Sequence, residues 1–411
     1  MKKINLDSKL LFKSSLTLLG LFIFYLNVSL FYSPDFQKCD TTHAVYNEDV
    51  YYQLQHLKTQ LHNGAGRDMQ NLYPEGFVFL NVLYGLTWAD FISSIPHASP
   101  LFLEGIHEVS WALEEVSSPY AKSIFDENLL LQYGAFYRGW TNYLLGKKIE
   151  LQLEAYRDSI EISIFKSNCQ EISNVLQKIK SPFLETYSNQ KWPADGIIAV
   201  SSLSLHDHVF NDNTYDQQLS GWLTKVQLNF DPKTGLIPHY INGRNDEIIE
   251  GARGSSQSLL LLFLNEIDTS FAQEQFLKYK LQFLDSRLGL PGIREYPLNQ
   301  VGRSDIDSGP VIWGIGGASS IVGQRTMGTF KHWNEYVGLR NCIESFGMGI
   351  KSGSKKKYLF GHLPIADAFI AWSNVVENRE CILIKSNTWR LKFQLLSLIL
   401  IVILITLFFK F

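Results

Sequence analysis

Five carboxylates stand in short collars ahead of apolar stretches of this chain. They are Glu75 in Tyr73-Pro74-Glu75-Gly76, Asp195 in Trp192-Pro193-Ala194-Asp195-Gly196, Glu295 in Arg294-Glu295-Tyr296-Pro297, and Asp305 and Asp307 in Arg303-Ser304-Asp305-Ile306-Asp307-Ser308. Arg253-Gly254-Ser255-Ser256-Gln257 and Gly361-His362 occupy equivalent places. Carboxylates crowded in a partly dry cleft raise one another's pKa, so one can stay protonated as an acid while another stays ionised as a base. Hydrolysis of a glycosidic bond needs such a pair. Lysis of a uronate would instead use Arg253 or Arg294 to neutralise the substrate carboxylate, with Tyr296 or His362 moving the proton. Aromatic rings in the collars offer flat apolar faces to sugars.

The catalytic expectation therefore falls on Glu75, Asp195, Asp305 and Asp307, and the substrate-binding expectation on Tyr73, Trp192, Arg253, Gln257, Arg294, Glu295, Tyr296 and His362. Each has a plainer use. Glu75 and Asp195 could cap helices, Asp305 and Asp307 could cap and bind Arg303, and the arginines could form structural ion pairs, since a buried arginine needs a carboxylate anyway. No metal or cofactor is expected. His206-Asp207-His208 lies about 16 Å from Asp195 at 1.5 Å per helical residue, and its two histidines splay apart on a helix. Gly314-Ile315-Gly316-Gly317 begins like a dinucleotide fingerprint, but Ser319 replaces the third glycine and no βαβ context surrounds it. His239, after the turn signal Asp231-Pro232-Lys233-Thr234-Gly235, could reach either the mouth or solvent.

Helices must position these collars. Apolar stretches begin near Phe77 to Ile92, Leu129 to Leu145, Ala194 to Leu205, Ser255 to Glu266, Gly309 to Val322 and Ile365 to Val376, about 45 to 65 residues apart. The third, from Gly196 to Leu205, is apolar or small on every face, which predicts burial all round. Pro193 suits the first helical turn and Asp195 the positive end of the helix dipole. Amphipathic stretches fill the gaps: Asn47 to Leu61, Leu101 to Val116, Glu150 to Ile179, Tyr215 to Leu228, Phe271 to Leu284 and Thr329 to Phe346. Six outer and six inner helices can close into a double ring, which hides the apolar ends an open solenoid would have to cap. The inner ends would then form one mouth.

Ser14 to Phe31 and Phe393 to Phe409 carry no charge and approach the roughly 20 residues of a membrane span. Residues 1–13 hold Lys2, Lys3, Lys9 and Lys13 against Asp7, which places them in the cytoplasm by the positive-inside rule. Transmembrane helices over 14–31 and 393–409 then hold a domain of residues 40–380 on the outer side of the cytoplasmic membrane. Lys385, Arg390 and Lys392 pull the other way, with the first helix given more weight. Tyr32-Ser33-Pro34-Asp35 offers no small-x-small cleavage site, so the first span reads as an uncleaved anchor. The lipid bilayer is one expected partner and a glycan or other small molecule the second. A formal charge of -3 argues against nucleic acid. Of the four cysteines, Cys39 and Cys381 each lie just inside an anchor and could pair in an oxidising compartment, or remain thiols.

The alternation of outer and inner helices, headed by Trp192-Pro193-Ala194-Asp195, Arg253-Gly254-Ser255-Ser256-Gln257 and Asp305-Ile306-Asp307-Ser308-Gly309-Pro310, resembles the (α/α)6 toroids over about residues 45 to 378. That group includes six-hairpin glycosidases, polysaccharide lyases and linalool dehydratase-isomerase-like proteins. The resemblance implies an all-α fold, an (α/α)6 toroid of six helical hairpins flanked by two transmembrane helices, and a membrane-anchored glycan-processing hydrolase or lyase. It also admits a dehydratase or isomerase of a small lipophilic alcohol. In that family cysteines help to form the active site, whereas Cys169 and Cys342 here fall within outer helices. A non-catalytic toroid that binds a glycan or a partner is the reading from another class.

Overall fold

The structure, a computed structural model, describes residues 2–39, 44–377 and 388–410. Its helices in chain order are α1 (Lys2–Ser29), α2 (Glu48–His62), α3 (Ala65–Leu72), α4 (Gly76–Ile92), α5 (Pro100–Ser117), α6 (Pro119–Lys122), α7 (Gly134–Leu151) and α8 (Ser159–Lys178). There follow α9 (Pro193–Phe210), α10 (Asp216–Gln227), α11 (Gly254–Ile267), α12 (Thr269–Phe283), α13 (Gly317–Thr329), α14 (Trp333–Phe346), α15 (Pro364–Asn374) and α16 (Trp389–Lys410). The inner helices pack in the cycle α4–α7–α9–α11–α13–α15 and back to α4, so the ring closes. The outer helices α2, α5, α8, α10, α12 and α14 alternate with them along the chain and flank them.

The two sets start differently. Most outer helices are capped by a side chain: Asn47 accepts from the Asp49 amide at 3.0 Å, Ser99 from Leu101 at 3.2 Å and Asp268 from Phe271 at 2.7 Å. None of the six inner helices has a side-chain cap bond. Two inner helices, α9 and α15, begin with proline, which needs no amide partner. Inner helices are held by burial instead. Leu80, Leu83, Tyr84 and Trp88 of α4 are wholly buried, each such apolar side chain contributing about 1.5–3 kcal/mol.

Short strands interrupt the helical pattern: β1 (Phe36–Lys38), β2 (Val45–Asn47), β3 (Gln190–Lys191), β4 (Tyr240–Asn242), β5 (Ile248–Glu250), β6 (Leu284–Arg287), β7 (Leu290–Ile293), β8 (Val311–Ile312), β9 (Ile315–Gly316), β10 (Ile350–Ser352) and β11 (Lys355–Lys357). They form antiparallel hairpins and one three-stranded sheet, β3–β4–β5. The chain is nonetheless mostly helical, consistent with an all-α fold, the strands being confined to short hairpins and one small sheet. The fifth inner helix starts at Gly317, not Gly309, because the β8–β9 hairpin takes the intervening residues. The span from Glu150 to Ile179 is likewise not one helix: α7 runs on to Leu151 and α8 starts at Ser159, where Asp158 accepts from the Ile160 amide at 2.7 Å.

Among the described residues two helices are long and apolar enough to cross a membrane, over Ser8–Ser29 and Trp389–Lys410. They pack on each other. Lys13 Nζ lies 5.0 Å from the Phe408 ring while Leu26 and Leu30 share a cluster with Phe393, so the pair is antiparallel. Most of their apolar side chains, among them Leu18, Phe24, Leu398 and Ile403, are exposed. The pair is also fastened to α14: Ser345 donates to the Leu26 carbonyl at 2.8 Å, Asn341 to Leu30 at 2.7 Å and Arg340 to Tyr32 at 2.9 Å. Arg390, at the start of α16, donates to Leu30 as well, at 2.7 Å. The proposed partner of Cys39, Cys381, lies outside the described residues.

Close helix approach rests on glycine. A Cβ at Gly139 of α7 would stand 2.8 Å from the Ala199 backbone nitrogen of α9. Gly139→Val should therefore force these inner helices apart and cost about 1–3 kcal/mol, read as a lowered midpoint in thermal unfolding of the detergent-solubilised chain.

Candidate active-site mouth

The N-terminal ends of the inner helices bring the collars together. At the centre is Arg253, at the N-cap position of α11 and only 1% exposed. Its Nε donates to Glu295 Oε1 at 2.7 Å, while Nη1 and Nη2 make a two-pronged contact with Asp305 at 2.6 and 2.8 Å. Nη1 also approaches His239 Nε2 at 3.2 Å. Backbone bonds hold both acidic partners in place. The Glu295 amide donates to the Gly314 carbonyl, and the Gly254 amide to Glu295, at 3.0 and 2.8 Å. Asp305 Oδ1 accepts from the Ser308 amide, and the Asp305 amide donates to Ser308 Oγ, each at 2.9 Å.

Asp305 is thereby committed. Burial pushes its carboxyl up, but the Arg253 guanidinium and the Ser308 amide outweigh it and hold the pKa at about 2. His239 is the mirror case. Burial and the adjacent Arg253 hold its imidazole down at about 3, so it stays neutral, hydrogen-bonded through Nδ1 to Ser256. Glu295 is fully buried, with Ser255 donating to Oε1 at 2.7 Å.

Three other carboxyls lack such compensation. Asp195, in the first turn of α9, is pushed well up by burial; Thr186 Oγ1 opposes this by donating at 3.0 Å, while Asp307 and Glu75 add to it. Glu75 rises through burial and the nearby Asp307, against its own backbone amide. Asp307 rises through burial and the charge of Asp305, with Arg253 pulling it back. Neither Glu75 nor Asp307 has an ion-pair or side-chain hydrogen-bond partner among the described residues. Asp307 is exposed to solvent. Glu75, the N-cap residue of α4, makes no side-chain cap bond to that helix, and the side-chain bond that Asp195 accepts comes from Thr186.

The binding residues divide. Trp192 follows β3 and stacks on Tyr240 of β4 at 4.6 Å and 18° between planes, a flat double face beside Asp195. Tyr73 is close enough to Glu75 and Asp307 for both to push its hydroxyl pKa upward, after burial, the larger cause. The Tyr296 ring lies 5.4 Å from the Arg253 guanidinium, and its hydroxyl donates to the Arg303 carbonyl at 2.8 Å. Two others are spent internally. Arg294 bonds the Tyr296 and Gln300 carbonyls and Asp285, at 3.0, 3.0 and 3.1 Å, and the Gln257 amide donates to the Ile237 carbonyl at 2.6 Å. His362 is exposed, just before α15.

Two members were not expected. Glu250, at the end of β5, lies 3.5 Å from Arg253 and 3.9 Å from His239, and burial raises its carboxyl. Tyr240 arrives on the same sheet. Strands of two or three residues have no period to read, so the sequence carried no signal for either beyond residue type.

The other groups of interest are closed. At the far ends of the inner helices Tyr143 donates to Glu266 at 2.6 Å and Arg325 to Asp90 at 2.7 Å, pairing what is polar there. His206, Asp207 and Asp212 have potential ligand atoms within 4.8 Å of one another, but Asp207 joins His206 at 2.9 Å and accepts from the Tyr215 amide at 2.7 Å, which locks the turn into α10. His208 points away, 3.2 Å from Glu150. Burial pushes the Cys169 and Cys342 thiols to about 12, in outer helices, where neither is a ready nucleophile. The cysteine-dependent dehydratase reading has no support.

No protein-family model and no curated protein matches the chain. Similar solved structures include a GH76 alpha-mannanase from Bacteroides thetaiotaomicron, at 11% identity and a TM-score of 0.45, with 72% of this chain and 84% of that one covered. A D-mannose isomerase is similar at 10% identity and 0.42, covering 87% and 97%. At such distances no residue's role transfers, and the chemistry rests on the site's own geometry.

Arg253 is the keystone of that geometry. Arg253→Ala should cost about 3–5 kcal/mol, because it strands Glu295 and Asp305, whereas Arg253→Lys should recover only part of the loss, since an ammonium cannot reproduce the fork. Chemical denaturation of the three proteins side by side checks both.

Proposed function

We propose that the chain is a membrane-anchored glycoside hydrolase acting on neutral saccharides, with Asp195 as general acid and Asp307 as general base. The observation that carries this reading is the group of three carboxyls, Asp195, Glu75 and Asp307, delivered by separate collars: Asp307 raises the pKa of both others, Glu75 adds to the rise at Asp195, and none of the three has an ion-pair partner among the described residues. Asp195, the most strongly raised, is suited to hold a proton. Asp307, which Arg253 pulls back toward ionisation, is suited to accept one. Glu75 keeps the field negative. The Trp192–Tyr240 platform offers the apolar face that a sugar ring stacks on. A uronate lyase fits less well, because the Arg253 and Arg294 donors already go to carboxylates and carbonyls.

The anchor part of the proposal draws on the two exposed apolar helices. Their antiparallel packing supports an arrangement with the start of α1 and the end of α16 on one side of a bilayer and the toroid on the other. The amino-terminal lysines assign the ends to the cytoplasm and the toroid to the outer face.

Incubated with neutral polysaccharides, the chain should release new reducing ends, and Asp195→Asn should lower kcat about 10²- to 10⁴-fold. Cleavage of a uronate polymer to an unsaturated, ultraviolet-absorbing product would sink the hydrolase reading. Stability supplies an independent check. Folded Asp195 keeps its proton at pH values where the unfolded residue, with a pKa of about 3.9, has lost it. Its burial therefore costs nothing below that pKa and increasingly more as pH rises toward the folded pKa. Asp195→Asn should raise Tm at pH 7 and flatten the fall in Tm on going up from about pH 4, as followed by circular dichroism.

A further inference from the structure

Two hairpins beside the terminal helices share an unusual feature. The β8–β9 turn is Trp313-Gly314, with φ of 52° and 84°, and the β6–β7 turn is Leu288-Gly289, with φ of 54° and 92°. Two-residue turns with both φ values positive ordinarily carry Asn, Asp or Gly first. A bulky side chain there is strained. Here both first positions hold large apolar residues, and both point outward: Trp313 is 66% and Leu288 43% exposed, with Ile312 next to them at 66%. Strain and exposure together give the folded domain nothing.

Their position gives the reason. A Cβ on Gly289 would lie 2.8 Å from the Trp389 carbonyl and 2.9 Å from the Lys392 side chain, so the β6–β7 tip touches the first turn of α16. Arg287, at the base of that tip, donates to the Trp313 carbonyl at 2.8 Å and joins the two tips. On the same flank Phe346, at the end of α14 and 49% exposed, meets Phe393 of α16 at 6.4 Å. A tryptophan and aliphatic side chains level with the entry of two apolar helices, beside Arg287, Arg390 and Lys392, make the aromatic and basic girdle of a membrane–water interface.

We infer that the tips of the β6–β7 and β8–β9 hairpins, led by Trp313 and Leu288, insert into the headgroup layer of the bilayer that holds α1 and α16. This rests on the anchor reading above. Its consequence concerns the mouth. Trp313 follows Asp307 by six residues, at most about 20 Å of extended chain, so the fifth collar opens close to the lipid surface. The glycan offered to it is then one borne on a membrane lipid or lying against the membrane.

The test uses the full chain reconstituted in phosphatidylcholine–phosphatidylglycerol vesicles. Trp313→Cys, labelled with an environment-sensitive fluorophore, is compared with Tyr156→Cys, at a 76% exposed position in the short helix between α7 and α8. The chain without substitution, taken through the same labelling, supplies the background of the four native cysteines. Headgroup spin-labelled lipid should quench the label at 313 at least about threefold more than at 156. Equal quenching in chain that floats with the vesicles overturns this inference and leaves the anchor standing. Chain stripped from the vesicles by alkaline wash overturns both.

Discussion

A guanidinium cannot be buried without neutralisation where it stands, and Arg253 is buried at the start of an inner helix. Three acidic groups answer it, Glu295 and Asp305 directly and Glu250 at longer range. Meeting that demand fixes the loop from residue 294 to 308 over the ring. It also decides the chemistry left over. With Asp305 consumed, Asp307 two residues later stays without an ion pair among the described residues and raises the pKa of Asp195 and Glu75 from other collars.

The ring supplies the frame on which this happens. Its inner helices are buried on nearly every face, so each must be surrounded by others, and closing the cycle surrounds them all. Their starts are not capped by their own side chains. At that end Asp195, Glu75 and Asp307 have no ion-pair partner among the described residues, whereas at the opposite end Tyr143 bonds Glu266 and Arg325 bonds Asp90. The two ends of one helical ring are thus chemically unlike, and the difference comes from pairing, not from composition.

The terminal helices are part of the same frame. Outer helix α14 spends Ser345, Asn341 and Arg340 on the Leu26, Leu30 and Tyr32 carbonyls at and just beyond the end of α1. That fastening gives the helix pair a fixed angle to the toroid.

Much of this was legible in the sequence. Runs such as Gly196 to Leu205, apolar all round, can only be buried helix, and the amphipathic stripe Leu219, Trp222, Leu223, Val226 can only be a helix with one wet face. Both signals are local, as is the apolar character of the two terminal helices. Which collar residue does what was decided by tertiary structure alone. Arg253 meets Glu295 and Asp305 across 42 and 52 residues, Glu250 and Tyr240 arrive on strands too short to show a period, and Arg294 and Gln257 turn to carbonyls nearby in space. A residue's type says that it can carry charge. Only the position of its neighbours says whether that charge is cancelled, and that position depends on how the ring closes.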